Sequence, residues 1–182
     1  RLDPMVPKDV AFVGIDNSAP MLEQARGKLA EVSARRKVTL TCSDIENGYP
    51  LENASVVLMV LTLQFVRPLQ RERIAAKIFQ GMRPNSALII VEKLLSADST
   101  LNRLFIEHYY DYKRQQGYSE TEITQKREAL ENVLIPYRME ENVALLKDAG
   151  FAVNVNATIF DGHSAEDIAA FLDYAKELGV GV

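Results

Sequence analysis

Hydrophobic and polar positions follow two alternating periods along the first half of the chain. Residues 10–15 (VAFVGI) form a short apolar run rich in β-formers, followed by Asp16, Asn17 and Ser18, whose short polar side chains end a strand and cap a helix. From Pro20 onward, Met21, Leu22, Ala25, Leu29 and Val32 recur at helical spacing among Glu23, Gln24, Arg26 and Lys28. This predicts an amphipathic helix over 19–35, with Pro20 in its first turn. Residues 38–41 read as a second strand, ended by a loop through Ser43, Asp44 and Ile45. Residues 56–63 (VVLMVLTL) are nearly all apolar, the pattern of a central parallel strand covered by helices on both faces. Ile74, Ile78 and Met82 place a second helix over 71–82, stopping before Pro84, Asn85 and Ser86, and residues 87–92 (ALIIVE) supply the next strand. Strands alternating with helices of ~10–15 residues predict an α/β fold on a mostly parallel sheet.

The pattern then changes. Residues 101–116 and 119–133 give two successive helices with no strand between them, holding Tyr109, Tyr110 and Tyr112. They read as a helical insertion, about 99–135, over the working edge of the sheet. A further helix over 140–149 ends with Gly150 at its C′ position, residues 151–160 (FAVNVNATIF) alternate like a strand, and 165–178 form a last helix, again followed by glycine.

Composition narrows the class of protein. A chain of 182 residues suits one domain, and its 25% charged and 47% apolar content speaks against both disorder and a fibrous architecture. The net charge of −4 argues against broad non-specific nucleic-acid binding, which needs clustered Lys and Arg. Cys42 is the single cysteine, which rules out an intrachain disulfide and a cysteine-rich metal site and fits a reducing compartment. The longest apolar stretch, 54–65, is broken by Ser55, Thr62 and Gln64 and falls short of the ~20 residues that span a bilayer. With no signal peptide visible, a cytoplasmic protein without membrane association is expected. The chain opens on Arg1 and runs almost at once into a strand, so an N-terminal part is expected to be absent.

Asp16 and Asp44 each come just after a strand. In open parallel sheets ligands bind beyond the carboxyl ends of the strands, where an acid accepts hydrogen bonds from both ribose hydroxyls of a nucleoside. Asp16 suits that role, and Asp44 suits the exocyclic amine of an adenine, with Ile45 against the ring. The alternative is that both acids only end their strands and cap the next helices. His108 and His163 have no Cys or Glu at ligand spacing, so no metal site is expected. Cys42 reads as packing rather than as a nucleophile, and the three tyrosines as packing against the domain or a partner rather than as a stacking platform for a substrate ring.

Several segments carry a resemblance: GIDNSAPMLEQAR from Gly14, SDI at 43–45, ENAS followed by TLQF, the strand ending VEK, and above all GYSETEITQKREALENV from Gly117. Over about 12–151 the chain resembles the carboxy-S-adenosylmethionine synthase family of class-I methyltransferase-like enzymes. The resemblance implies a Rossmann-like fold over 1–152 that binds S-adenosyl-L-methionine or its carboxylated form, followed by an atypical strand-helix segment over 153–182. It places Asp16 and Asn17 on the cofactor ribose, Asp44 and Ile45 beside its adenine, and Arg127 on the extra carboxylate. An arginine fork suits a carboxylate, although by sequence alone Arg127 also reads as a solvated helix charge between Lys126 and Glu128. The implied reaction is carboxyl transfer from prephenate to the S-methyl group, serving wobble-uridine modification of tRNA. A homodimer without direct nucleic-acid binding is expected.

Three features depart from the family pattern. The first strand and its glycine-rich turn do not precede residue 10, Val60 stands where the family has an asparagine, and the resemblance stops at Gly150 and Phe151. Beyond it, residues 153–182 resemble a β-α unit of a hopanoid-type radical S-adenosylmethionine barrel enzyme, or are a divergent terminal strand and helix. Two other functions stay open: an ordinary S-adenosylmethionine-dependent methyltransferase, and a non-catalytic remnant that acts as an interaction module.

Overall fold

The computed structural model describes residues 3–48, 51–156 and 164–181 and divides the chain into two compact units, Arg1–Leu51 and Glu52–Val182. The first unit is a single β-α-β turn. Strand β1 (Phe12–Asp16) pairs in parallel with β2 (Val38–Cys42), from Phe12 opposite Val38 to Asp16 opposite Cys42. Helix α1 (Ala19–Ser33) connects them; Ser18 caps it by accepting the Met21 N–H at 3.4 Å, and Pro20 lies in its first turn. Leu22 is the residue of α1 that is fully buried.

Arg36 closes this unit. Its side chain is withdrawn from solvent and donates to the carbonyls of Asp3, Val6, Pro7 and Val10 and to the Asp3 carboxylate, with Phe12 stacked 4.4 Å from the guanidinium. The Asp3 and Pro7 carbonyls also accept turn bonds from the Val6 and Val10 N–H groups, and the one arginine side chain completes the pairing of this segment.

The second unit begins with another β-α-β turn: β3 (Ala54–Val60), α2 (Pro68–Gly81) and β4 (Met82–Val91), with β3 and β4 parallel. The regular register runs from Val56 opposite Ala87 to Val60 opposite Val91. It is interrupted where Ala54 faces Met82, and Asn85 in the intervening residues has a φ of +59°. Ile74 and Ile78 of α2 are buried, as their spacing predicts.

Two expectations for β3 are corrected. The strand stops at Val60 rather than at residue 63, because Leu61 turns into the left-handed region (φ +52°) and Leu63–Phe65 coil into a 3-10 turn. Among the described residues of its own unit it is also packed on one face only: Met59 is buried, but Val56, Leu58 and Val60 are 54%, 47% and 58% exposed. An unbroken apolar run reports a strand with two apolar faces, and here only one is packed.

The inserted helices are α3 (Ser99–Gln115) and α4 (Glu120–Leu130), bracketed by a short parallel pair, β5 (Leu94–Leu95) and β6 (Tyr137–Arg138). Ser119 and Glu122 form a reciprocal cap at the start of α4. Arg114 near the end of α3 bonds both Asp111 and Glu120, tying the two helices at their junction.

Helix α5 (Met139–Asp148) packs on α2 and ends at Gly150 (φ +105°), where the Phe151 N–H reaches the Leu146 carbonyl and the Gly150 N–H that of Lys147. Phe79 and Phe151 meet edge to face at 5.0 Å over this turn. The strand expected at 151–160 is not formed over 151–156. Among the described residues its backbone makes one isolated parallel bridge, Asn154 to Gly181. Residues 157–160 lie outside the described residues. Helix α6 (Ala165–Glu177) matches the last predicted helix, with Gly179 at φ +62° behind it.

Candidate ligand site at the strand ends

Four of the five sequence-predicted site residues meet at the carboxyl end of the β1–β2 pair. The Ser43 N–H donates to the Asp16 carbonyl at 3.0 Å, extending the ladder by one bond and bringing Asp44 to the rim beside Asp16. Asp16 Oδ1 accepts the Ser18 N–H at 2.7 Å, and Asp44 Oδ1 accepts the Glu46 N–H at 2.8 Å. Each acid thus braces its own turn with one oxygen. Among the described residues neither Oδ2 has a protein partner. Asn17, which follows Asp16, is exposed and Ile45, which follows Asp44, is half-buried, while the Cys42 thiol, also exposed, points to the Asn17 carbonyl at 3.8 Å.

This donor set fits the nucleoside end of S-adenosylmethionine. Two carboxylate oxygens are open to hydroxyl and amine donors, an amide side chain stands next to one of them, and an isoleucine offers an apolar surface for a flat ring.

Arg127, the fifth residue, lies on α4 in the second unit. It is exposed and makes no ion pair or hydrogen bond among the described residues, so its fork is open to an anion. Tyr109 lies between two cations, 4.6 Å from Lys93 and 4.9 Å from Lys113, and Tyr112 faces solvent. His108 is exposed, and His163 lies outside the described residues. No group of three metal-ligating side chains occurs among the described residues.

A second strand end is built by residues the sequence did not mark. Glu92, just past β4, accepts the N–H groups of Thr62 and Leu63 on Oε1 at 2.9 and 2.7 Å and that of Gln64 on Oε2 at 3.0 Å. Three donors on one carboxylate hold the turn after β3. Arg71 of α2, 1% exposed, donates to the carbonyls of Val66, Gln64 and Ile135. Burial pushes its pKa down, and Tyr137, Glu92 and Glu141 push it back up. Only the quoted TLQF and VEK segments hinted at this cluster. Val60, at the family's asparagine position, ends β3 with an exposed side chain, and its carbonyl accepts the Thr62 hydroxyl at 3.1 Å.

Comparison with known proteins decides the kinship of this arrangement. A carboxy-S-adenosyl-L-methionine synthase from Methylococcus capsulatus is 50% identical over 145 residues, 80% of this chain and 60% of the relative. Over those residues the chain resembles the carboxy-S-adenosyl-L-methionine synthases. Synthases so named from Helicobacter pylori and Nautilia profundicola are 45% and 44% identical over 150 and 144 residues, covering 82% and 79% of this chain and 61% and 60% of theirs. The chain therefore spans about 60% of the length of these synthases.

Residues 2–85 also match the family described as a methyltransferase domain. Two solved structures share the fold. One is the S-adenosylmethionine-dependent methyltransferase SibL in its apo form (TM-score 0.52, 19% identity, 86% of this chain and 40% of that one). The other is the pyocyanin biosynthetic protein PhzM (TM-score 0.53, 16% identity, 85% and 48%). The Rossmann-like class-I methyltransferase fold read from the sequence of this synthase relative is thereby borne out. No helix among the described residues is long and apolar enough to cross a membrane.

Proposed function

We propose that this chain forms the nucleoside-binding and carboxylate-reading part of a carboxy-S-adenosyl-L-methionine synthase. The observation that carries the reading is the placement of Asp16 and Asp44 at one strand end, each with an oxygen unused among the described residues. Asp16 and Asn17 hold the ribose, Asp44 accepts the adenine amine with Ile45 on the ring, and Arg127 pairs with the added carboxylate.

The complete protein then moves the carboxyl group of prephenate to the S-methyl group of S-adenosylmethionine, releasing phenylpyruvate. The product serves wobble-uridine modification of tRNA, with the protein acting as a cytoplasmic homodimer. The methyl group must become ylid-like in such a transfer, so the site works by placing charge and excluding water more than by supplying a strong base. An ordinary methyltransferase would need a methyl-acceptor pocket and would not depend on Arg127.

Isothermal titration of the chain with S-adenosylmethionine and with its carboxylated form, repeated on Arg127→Leu, tests this reading. The carboxylated ligand should bind more tightly, and the substitution should remove about 1.5–3 kcal/mol of that preference, the size of a charged hydrogen bond. Equal affinities in both proteins would favour the ordinary methyltransferase. No binding of either ligand would favour the non-catalytic interaction module, to which the uncovered face of β3 is suited.

A further inference from the structure

Gln64 is 3% exposed and is the meeting point of four segments. Its N–H donates to Glu92 at 3.0 Å, its carbonyl accepts from the Ile135 N–H at 2.8 Å and from Arg71 at 3.4 Å, and its side-chain oxygen accepts the Lys93 N–H at 3.2 Å. Glu92 stands beside it on two more N–H groups of the same turn. Leu61, which opens the turn, has a φ of +52°, a conformation that a leucine keeps only where its surroundings impose it. Ile135 comes after α4 and leads into β6, so the turn at the carboxyl end of β3 and the return from the helical insertion share one buried carbonyl.

We propose that Glu92 is a positioning residue: through the Gln64 junction its carboxylate sets both the turn after β3 and the seat of the insertion that carries Arg127. The neutral isostere separates this role from simple packing. Glu92→Gln keeps one oxygen for Thr62 and Leu63 but turns an NH2 group toward the Gln64 N–H, so two donors face each other and the junction loses its anchor. The ligand-affecting part of the inference rests on the cofactor reading above; the conformational part does not.

The test is amide hydrogen exchange of the whole chain, wild type and Glu92→Gln, alongside titration with carboxy-S-adenosylmethionine. Exchange at Gln64 and Ile135 should accelerate about tenfold or more, while the β3 ladder amides at Val57 and Met59 change less than about twofold. Affinity for the carboxylated ligand, whose added carboxylate Arg127 reads, should fall about tenfold. Unchanged exchange at Ile135, or acceleration spread equally over the β3 ladder, overturns the proposal; so does equal ligand affinity in a wild type that binds. If the wild type does not bind, the cofactor reading fails and the exchange pattern alone decides the role of Glu92. Should Glu92→Gln not fold, Glu92→Asp, which keeps the charge and shortens the reach, must show the same order of affected amides, or the proposal fails.

Discussion

The guanidinium of Arg71 lies 4.0 Å from the centre of the Tyr137 ring, and its Nη2 donates to the Ile135 carbonyl at 2.5 Å. One side chain of α2 therefore seats two residues of the segment that returns from the insertion. Methionine at position 71 would fill the space and leave the carbonyls of Val66 and Ile135 without this donor. Arg71→Met should lower stability by about 2–4 kcal/mol in urea denaturation. A loss below about 1 kcal/mol would mean that water replaces the guanidinium.

Arg36 makes a parallel case in the first unit, where four carbonyls and one carboxylate converge on it. Arg36→Met should cost about 3 kcal/mol and, in limited proteolysis, open the chain before β1 well ahead of α1. Cleavage at equal rates in both places would show that the arginine supports the unit generally rather than this loop.

Two glycines should respond to alanine with opposite signs. A methyl group on Gly150 would sit 3.0 Å from the Phe79 ring at a φ of +105°, so Gly150→Ala should destabilise by about 1–3 kcal/mol. Gly27, inside α1, has open space where its Cβ would be, and Gly27→Ala should stabilise by about 0.5–1 kcal/mol. Thermal unfolding of the two variants side by side gives both signs.

The start of α4 should depend on pH through Glu122. The Ser119 N–H and then its hydroxyl hold the Glu122 carboxyl below the ordinary glutamate range. Because the folded-state value is depressed, the cap contributes fully above the free-glutamate value near ~4.3 and is lost as pH falls through the lower, folded value. An NMR titration of Glu122 in Ser119→Ala should show its midpoint rising part of the way toward that of free glutamate, because the N–H at position 119 remains; an unmoved midpoint would remove the Ser119 hydroxyl as a cause.

Much of the architecture was legible because its signals are local. Ser18 and Pro20 start α1, and Ile74 and Ile78 mark the buried face of α2. Gly150 ends α5, and Ser119 with Glu122 starts α4. The features that escaped depend on distant partners. The end of β3 is set by Glu92, which lies beyond a whole helix and the next strand, so residues 56–63 read as one uninterrupted run. Arg36 and Arg71 look like surface charges in sequence because the carbonyls that take them inside belong to irregular segments elsewhere. The placement of Asp16, Asp44 and Ile45 at one strand end came from the β-α-β order, and Asn17 joined them through the family resemblance, whereas the Gln64 junction was hinted at only by the TLQF and VEK segments of that resemblance.

The lone thiol of Cys42 sits in the open next to the Asn17 carbonyl, at the rim shared by Asp16 and Asp44. A maleimide dye can therefore attach at only one cysteine in the chain. A nucleoside settling on these acids would change the solvent around that dye, giving an optical readout of occupancy from an unmodified sequence.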